Sequence, residues 1–330
     1  MTPGERNQGA AGRLERVLPP ALPAGGVVGV PAPASPYHNR SQVERGVRLL
    51  ESFGYRVKLA EHISAREHYL AGSAALRAHD LMEMFADPGV DAVICLQGGY
   101  GSNQLIPLLD YGVIRDNPKP FMGYSDITSL HVAIRQRTGL VTFYGPGAMS
   151  MSAPTASTFT QQRALNVLCD GGAGPVPRGP DDPLLRTLHG GQVTAPLVGG
   201  DLWELRETLG TPWEVDTEGS ILFFEDVEVM PWQVDGMLSQ LTHAGKLQQV
   251  VGVVVGEMAG CEWSRERAWT PNTKSLEDVL EYYLEPLGVP VLYGLPLGHG
   301  AHLATIPLGV TATLDADKQE LWIDEPGVRG

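Results

Sequence analysis

Val90-Asp91-Ala92-Val93-Ile94-Cys95-Leu96, followed at once by Gln97-Gly98-Gly99-Tyr100-Gly101, decides the fold class. The apolar run is nearly unbroken, as expected of a strand covered on both faces in a parallel sheet. The paired glycines put a tight turn at its carboxyl end, where backbone can come close to a ligand. Working outward, Val27–Val30 and Tyr55–Ala60 read as earlier strands, and Pro120–Gly123 and Leu140–Tyr144 as later ones. Helical periodicity fills the gaps. Val43, Val47 and Leu50 share a face of Gln42–Ser52, with Gly54 as a stop signal, and Leu76, Leu81 and Phe85 point inward from Ala74–Phe85. Strands alternating with helices predict a parallel α/β sheet.

The pattern changes after Asp170–Asp182, which is rich in Gly, Pro and Asp. Strands are expected at Ile221–Phe224, Val250–Val255, Val289–Tyr293 and Leu321–Ile323. Helices are expected near Trp232–His243 and Ser275–Leu287, and a hairpin over Gly309–Asp324 turning around Asp315–Lys318. The expected organisation is a loose tail over residues 1–20, an α/β domain over 21–168, a linker over 169–192 and a mixed α/β domain over 193–330.

The chain of 330 residues is 43% hydrophobic and 19% charged, enough apolar material for a sizeable core. Its 24 basic and 38 acidic residues give a formal charge of −14, which argues against nucleic acid as a partner. Cys95, Cys169 and Cys261 are odd in number and far apart, so neither a disulfide framework nor a zinc site is expected. No apolar run approaches the roughly 20 residues of a membrane span. The first 16 residues hold charges with no apolar stretch behind them, unlike a signal peptide. A cytoplasmic protein is expected.

Gly123-Tyr124-Ser125-Asp126 lies between an apolar strand and a helical pattern formed by Ile127, Leu130, His131 and Ile134. A serine at such a turn exposes Oγ above the sheet edge, beside backbone N–H groups that can hold developing negative charge. The motif alone suits a serine that merely caps the helix better than a nucleophile, and Ile127 stands where the hydrolase elbow has glycine. The glycine loop and the serine turn both follow parallel strands, so they can face one crevice. A serine nucleophile needs a base and an acid to orient it. His299, between Gly298 and Gly300, is the candidate base, with His302 as its rival. Glu225, ending the apolar run Leu222-Phe223-Phe224, is the candidate acid, with Asp226 and Glu228 as alternatives.

Several ordered segments resemble the L,D-carboxypeptidase family of serine peptidases. They are Gly98-Gly99-Tyr100-Gly101-Ser102, Leu108-Leu109-Asp110-Tyr111, Asn117-Pro118-Lys119-Pro120-Phe121, Gly123-Tyr124-Ser125-Asp126-Ile127-Thr128, Phe143-Tyr144-Gly145-Pro146, Gly199-Gly200-Asp201-Leu202, Phe224-Glu225-Asp226 and Gly298-His299-Gly300. The resemblance runs from about residue 27 to about 315. It implies an N-terminal parallel-sheet domain of the flavodoxin or glutamine-amidotransferase kind, a smaller mixed α/β C-terminal domain, and a site between them. It implies a triad of Ser125, Glu225 and His299, and an oxyanion hole from the N–H groups of Asp126 and a glycine of the Gly98-Gly99 pair, with Gly99 preferred. Gly98 and Tyr100 are implied in substrate binding, with no metal, no cofactor and a homodimer.

The implied task is removal of terminal D-alanine from cytoplasmic murein tetrapeptides in wall recycling. A second branch resembles microcin-immunity peptidases, which cleave peptidyl- or aminoacyl-nucleotides. Gln97, where many murein-acting members have Arg, and the run Ser102–Leu105 lean toward that branch, while Gly99-Tyr100-Gly101 leans back toward murein. Asp201 stands in place of the usual Asn. Trp203, Trp232 and Trp263 are candidates for stacking a base, and Arg115, Lys119 and Arg206 for holding a substrate carboxylate. A non-catalytic binding protein that kept the cleft is the third reading.

Overall fold

Strand and helix alternate through the first half of the chain, as the periodicity requires. The computed structural model describes residues 14–179, 185–263 and 273–330. The first half runs β1 (Val27–Val30), α1 (Arg40–Ser52), β2 (Arg56–Leu59), α2 (Ala74–Ala86), β3 (Ala92–Ile94), α3 (Tyr111–Asp116), β4 (Phe121–Gly123), α4 (Thr128–Thr138), β5 (Thr142–Tyr144), α5 (Ala148–Met151) and α6 (Thr158–Asp170). The second half runs β6 (Gly174–Pro175), β7 (Arg186–His189), β8 (Gln192–Asp201), α7 (Leu202–Glu207), β9 (Ile221–Val227), α8 (Pro231–His243), β10 (Gly252–Ala259), α9 (Leu276–Leu284), β11 (Val291–Gly298), β12 (Ile306–Leu308), β13 (Thr311–Asp315) and β14 (Glu320–Ile323).

The first sheet has the order β12-β5-β4-β3-β1-β2. Its five strands from the first half are parallel in the flavodoxin-like order 2-1-3-4-5. Such sheets bind ligands beyond the carboxyl ends of their strands, where the order reverses, here between β1 and β3. Capping sets the helix starts. Helix α1 begins two residues earlier than its apolar spacing indicates, because Asn39 Oδ1 accepts the Ser41 N–H and Gln42 Oε1 accepts the Asn39 N–H.

The second sheet has the order β6-β14-β13-β8-β9-β10-β11-β7, with β8 to β11 parallel. Strand β8 has no counterpart among the strands expected from sequence, since Pro196, Gly199 and Gly200 are strand-breaking signals. The glycines are there for close approach. A Cβ on Gly199 would lie 1.7 Å from the Phe223 carbonyl oxygen, and one on Gly200 2.5 Å from Thr128 Oγ1. They let β8 pack against both β9 and α4.

Three further departures concern connections. Strand β12 returns from the second half to pair antiparallel with β5 in the first sheet. Strands β6 and β7, inside the stretch 169–192 expected as a linker, pair at the two edges of the second sheet, with Val176 and Leu185 buried beside them. Of the expected tail, residues 14–20 are described: Val17 bridges Leu140, Pro20 bridges Arg329, and Arg16 pairs with Glu325. One apolar cluster joins the sheets, bringing Val28, Ile94 and Phe143 together with Leu197, Phe223 and Leu297. Each fully buried side chain of this size contributes about 1.5–3 kcal/mol. No helix among the described residues is long and apolar enough to cross a membrane.

Candidate functional site

Strand β4 delivers the chain into a one-turn 3-10 segment, Ser125–Ile127, that runs on into α4. Ser125 has φ +61°, a left-handed conformation that a residue with Cβ adopts at a cost of about 1–2 kcal/mol. The turn is held by a dense set of bonds. Gly101 N–H and Ser102 N–H each donate to the Asp126 carboxylate at 2.9 Å, and Ser102 Oγ donates to the Asp126 carbonyl. The side chain of Asp126 therefore clamps the glycine loop onto the serine turn. Burial pushes this carboxyl up to about 6, against the pull of the Ser102 and Gly101 donors. A Cβ on Gly98 would lie 3.0 Å from the Tyr124 carbonyl oxygen and 3.1 Å from Ser125 Cβ, so a side chain there would have to push the serine turn back by a few tenths of an ångström. Gly99 has φ +110°, and a Cβ there would lie 2.4 Å from Ser35 Oγ.

Strands β9 and β11 bring the remaining candidates to the same place. Glu225 is fully buried on β9, and His299 follows Gly298, the last residue of β11. His299 Nδ1 lies 2.8 Å from Glu225 Oε2. Burial disfavours the imidazolium, and the Glu225 carboxylate more than offsets this by charge and hydrogen bond, so the pKa of His299 lies above its ordinary value. Gly298 makes the contact possible: its φ is +129°, and a Cβ would lie 2.4 Å from Glu225 Oε2.

Ser125, His299, Gly98, Gly99 and Gln97 line one cleft of about 440 Å³, with Ser35, His38, Tyr69 and Ser150 around them. A second chamber of about 330 Å³ shares Tyr124, Ser150 and His299 with the first and is walled further by Thr155, Thr160, Gly298 and Leu303. Tyr124 Oη donates to Ser150 Oγ at 3.1 Å, and both residues line both chambers. These walls come from the segments that follow β1, β2, β3, β4, β5 and β11, at the carboxyl ends of parallel strands.

Other sequence candidates lie elsewhere. His302 turns to Ser157 Oγ at 2.8 Å and packs its ring on Phe159. Asp226 accepts the Val227 N–H, and Glu228 is exposed with φ +57°. Tyr100 packs edge-on against Tyr69, and it is Tyr69 that lines the cleft. Neither chamber is lined by Trp203, Trp232 or Trp263, nor by Arg115, Lys119 or Arg206. Lys119 Nζ donates to the Met84 and Asp87 carbonyls, and Arg206 lies over the Trp203 ring.

Sequence reading passed over Tyr144. Its hydroxyl accepts the Ser125 N–H at 3.2 Å and donates to Glu225 Oε1 at 2.5 Å. The available signal was a tyrosine at the carboxyl end of a buried strand. Sequence reading singled out Asp226 as an alternative acid and Asp201 as a departure from Asn, but not Glu204, nor that the three form a buried acidic crowd. Asp201, Glu204 and Asp226 are all nearly inaccessible. Burial pushes Glu204 up to about 9, Asp226 to about 7, and Asp201 well above the ordinary carboxylate range, with neighbouring carboxylates adding to the effect. Ligand atoms of Asp201, Glu225 and His299 lie within 4.8 Å of one another, a spacing that could hold a metal ion. Two of the three are engaged with each other, and Glu225 Oε1 is taken by Tyr144.

These acids make stability depend on pH in a definite direction. A carboxyl whose folded pKa is raised keeps its proton in the native state after the unfolded chain has lost it. Its contribution is complete below the unfolded pKa of about 4 and is lost as pH rises through the folded value. Thermal stability is therefore expected to fall between pH 5.5 and pH 9, and Glu204→Gln is expected to shrink that fall. Melting temperatures of both proteins at the two pH values check this; an equal fall in both would exclude Glu204 as a contributor.

Residues 28–145 match the family described as LD-carboxypeptidase N-terminal domain, and residues 194–314 match LD-carboxypeptidase C-terminal domain. The probable murein peptide carboxypeptidase of Bacillus subtilis is 38% identical over 314 residues, covering 93% of this chain and 94% of that protein. The murein tetrapeptide carboxypeptidase of Pseudomonas aeruginosa is 34% identical over 302 residues, 90% of this chain and 95% of that one. Among solved structures, the microcin C7 self-immunity protein MccF in complex with aspartyl sulfamoyl adenosine superimposes with a TM-score of 0.86 at 26% identity, over 95% of this chain and all of that one.

Proposed function

This chain belongs to the LD-carboxypeptidase family, and on that premise we propose that it is a serine carboxypeptidase releasing terminal D-alanine from murein tetrapeptides. The observation that carries the reading is the buried Glu225–His299 pair opening onto the same cleft as the strained Ser125 turn. The named murein peptidases among its relatives support the substrate class.

In this reading Ser125 Oγ attacks the peptide carbonyl while His299 takes its proton. Glu225 keeps the Nδ1 proton of His299 in place, leaving Nε2 as the base, and stabilises the imidazolium. The Ser125 N–H is already given to Tyr144, so the oxyanion falls to the N–H groups of Asp126 and Gly99. His299 then protonates the leaving amine, and water hydrolyses the acyl-enzyme. Gly98 and Tyr69 border the bound peptide, with Tyr100 supporting Tyr69. The proposal includes an N-terminal domain carrying Ser125, a C-terminal domain carrying Glu225 and His299, a cytoplasmic location suited to wall recycling, and a homodimer.

A second reading keeps the chemistry and changes the substrate to an aminoacyl-nucleotide. The likeness to MccF supports it, as does a second chamber with room beyond a D-alanine leaving group. Purified protein incubated with murein tetrapeptide and, separately, with aspartyl sulfamoyl adenosine distinguishes the two by mass spectrometry. D-Alanine release is the expected result; cleavage of the nucleotide substrate alone would replace the first reading with the second.

A further inference from the structure

Tyr144 ends β5 wholly buried, its ring edge-on to Phe223 at 5.1 Å and to Tyr124 at 6.3 Å. Its hydroxyl meets two groups from different parts of the chain, the Ser125 backbone N–H and Glu225 Oε1. Proton accounting fixes the direction of both bonds. A backbone N–H can only donate, so a phenol lone pair receives it. The one phenol proton is then committed to Glu225 Oε1. Glu225 Oε2 faces His299 Nδ1 at 2.8 Å, so each carboxylate oxygen has a donor.

We infer that Tyr144 is a positioning residue that locks the backbone of the nucleophile turn and the triad carboxylate to a single hydroxyl. The inference rests on Ser125, Glu225 and His299 forming the triad. It explains how a serine held at φ +61° keeps its place relative to a base on another sheet. Strand β4 pairs Gly123 with Tyr144, so the tyrosine and the serine turn start from neighbouring strand ends. Strand β12 pairs Ile306 with Tyr144 on the other side, and both flanks of the tyrosine backbone are thereby fixed. Removing the oxygen leaves a Ser125 N–H and a buried carboxylate oxygen each short of one partner.

Loss of the phenol proton also concentrates charge on Glu225, which then holds the His299 proton more tightly. Other titratable groups face this trio. Asp201 ends β8, Asp226 and Glu228 follow Glu225, His131 on α4 lies 6.0 Å from the Tyr144 ring, and Tyr124 lies 4.8 Å from the His299 ring. Tyr144→Phe leaves all of them in place, so a shift in the pH profile belongs to the hydroxyl.

The test uses a fluorophosphonate probe, which needs no knowledge of the natural substrate. Ser125 Oγ forms the bond to phosphorus, fluoride leaves, and His299 takes the serine proton. The second-order labelling rate is measured against pH for the wild type, Tyr144→Phe and Glu225→Gln, with Ser125→Ala as blank. Tyr144→Phe is expected to label about 10–100-fold more slowly, with its acidic limb moved to higher pH, whereas Glu225→Gln moves that limb to lower pH. A Tyr144→Phe rate equal to wild type, or a lower rate with an unmoved limb, would overturn the inference. Absence of labelling at Ser125 in the wild type would instead sink the triad reading beneath it. Hydrogen exchange at the Ser125 amide of the wild type gives a check without any substitution: protection is expected, and an unprotected amide would overturn the bond to Tyr144.

Discussion

Ser125→Ala is expected to abolish D-alanine release from murein tetrapeptide, by at least about 10⁴-fold, while leaving the protein folded and able to bind substrate. Loss of a serine nucleophile from a working triad costs on the order of 10⁶ in turnover in the best-studied case, because the remaining groups act only through it. The substitution removes Oγ and nothing else. Alanine and serine bear the same Cβ, so the strain at φ +61° is unchanged. The Ser125 N–H to Tyr144 and the Asp126 clamp on the glycine loop involve no Oγ atom of Ser125. Mass spectrometry of the reaction mixture, with thermal melting as a control on folding, checks the prediction. Turnover within about a factor of ten of wild type would move the nucleophile elsewhere.

Glu225→Gln is expected to lower kcat by about 10³–10⁴-fold with little change in KM. The analogy is an Asp-to-Asn change in a well-studied serine triad, which leaves the geometry intact but fixes the wrong imidazole tautomer. Here the surroundings choose the bad orientation. Glu225 accepts from two donors, Tyr144 Oη at one oxygen and His299 Nδ1 at the other. An amide can satisfy only one of them with its oxygen. With the oxygen on Tyr144, the amide nitrogen faces Nδ1 and forces the proton onto Nε2, where it blocks the base. With the oxygen on His299, the Tyr144 hydroxyl faces a donor in a fully buried site. The acidic limb should also move down, since the carboxylate is what raises the His299 pKa. Near-normal kcat in Glu225→Gln would assign the orienting role to another acid; Asp201, with a carboxylate oxygen within 4.8 Å of a His299 ring nitrogen, is better placed for it than the exposed Glu228.

Much of the first half was readable because its signals are local. Runs such as Val27–Val30 and Phe121–Gly123 became strands within a residue or two, and helices formed over Arg40–Ser52 and Ala74–Ala86 as the 3.6-residue spacing indicated, although Leu76, expected inward, is exposed while Leu81 and Phe85 are buried. Strand β8 was not readable, because Pro196 and the Gly199-Gly200 pair imitate a loop. Their meaning lies in Phe223 and Thr128, which no window around residue 199 contains. Strand β12 was missed for a related reason: three residues carry no period, and its partner β5 lies more than 160 positions away.

The candidate site divides along the same line. By itself the sequence determined the fold class and the chemistry-bearing side chains at strand ends: a serine at a strand-to-helix turn, a histidine between glycines, a glutamate closing an apolar run. Only the tertiary structure decided which of them meet. It set His299 rather than His302 against Glu225, although the two histidines are three residues apart and chemically alike. It turned Asp126 into the clamp of the glycine loop and gave Tyr144 its two partners. The physical reason is range. Periodicity, capping and turn chemistry act over a few residues, whereas the hydrogen bonds among positions 125, 144, 225 and 299 exist only once two sheets have packed their carboxyl ends around one cleft.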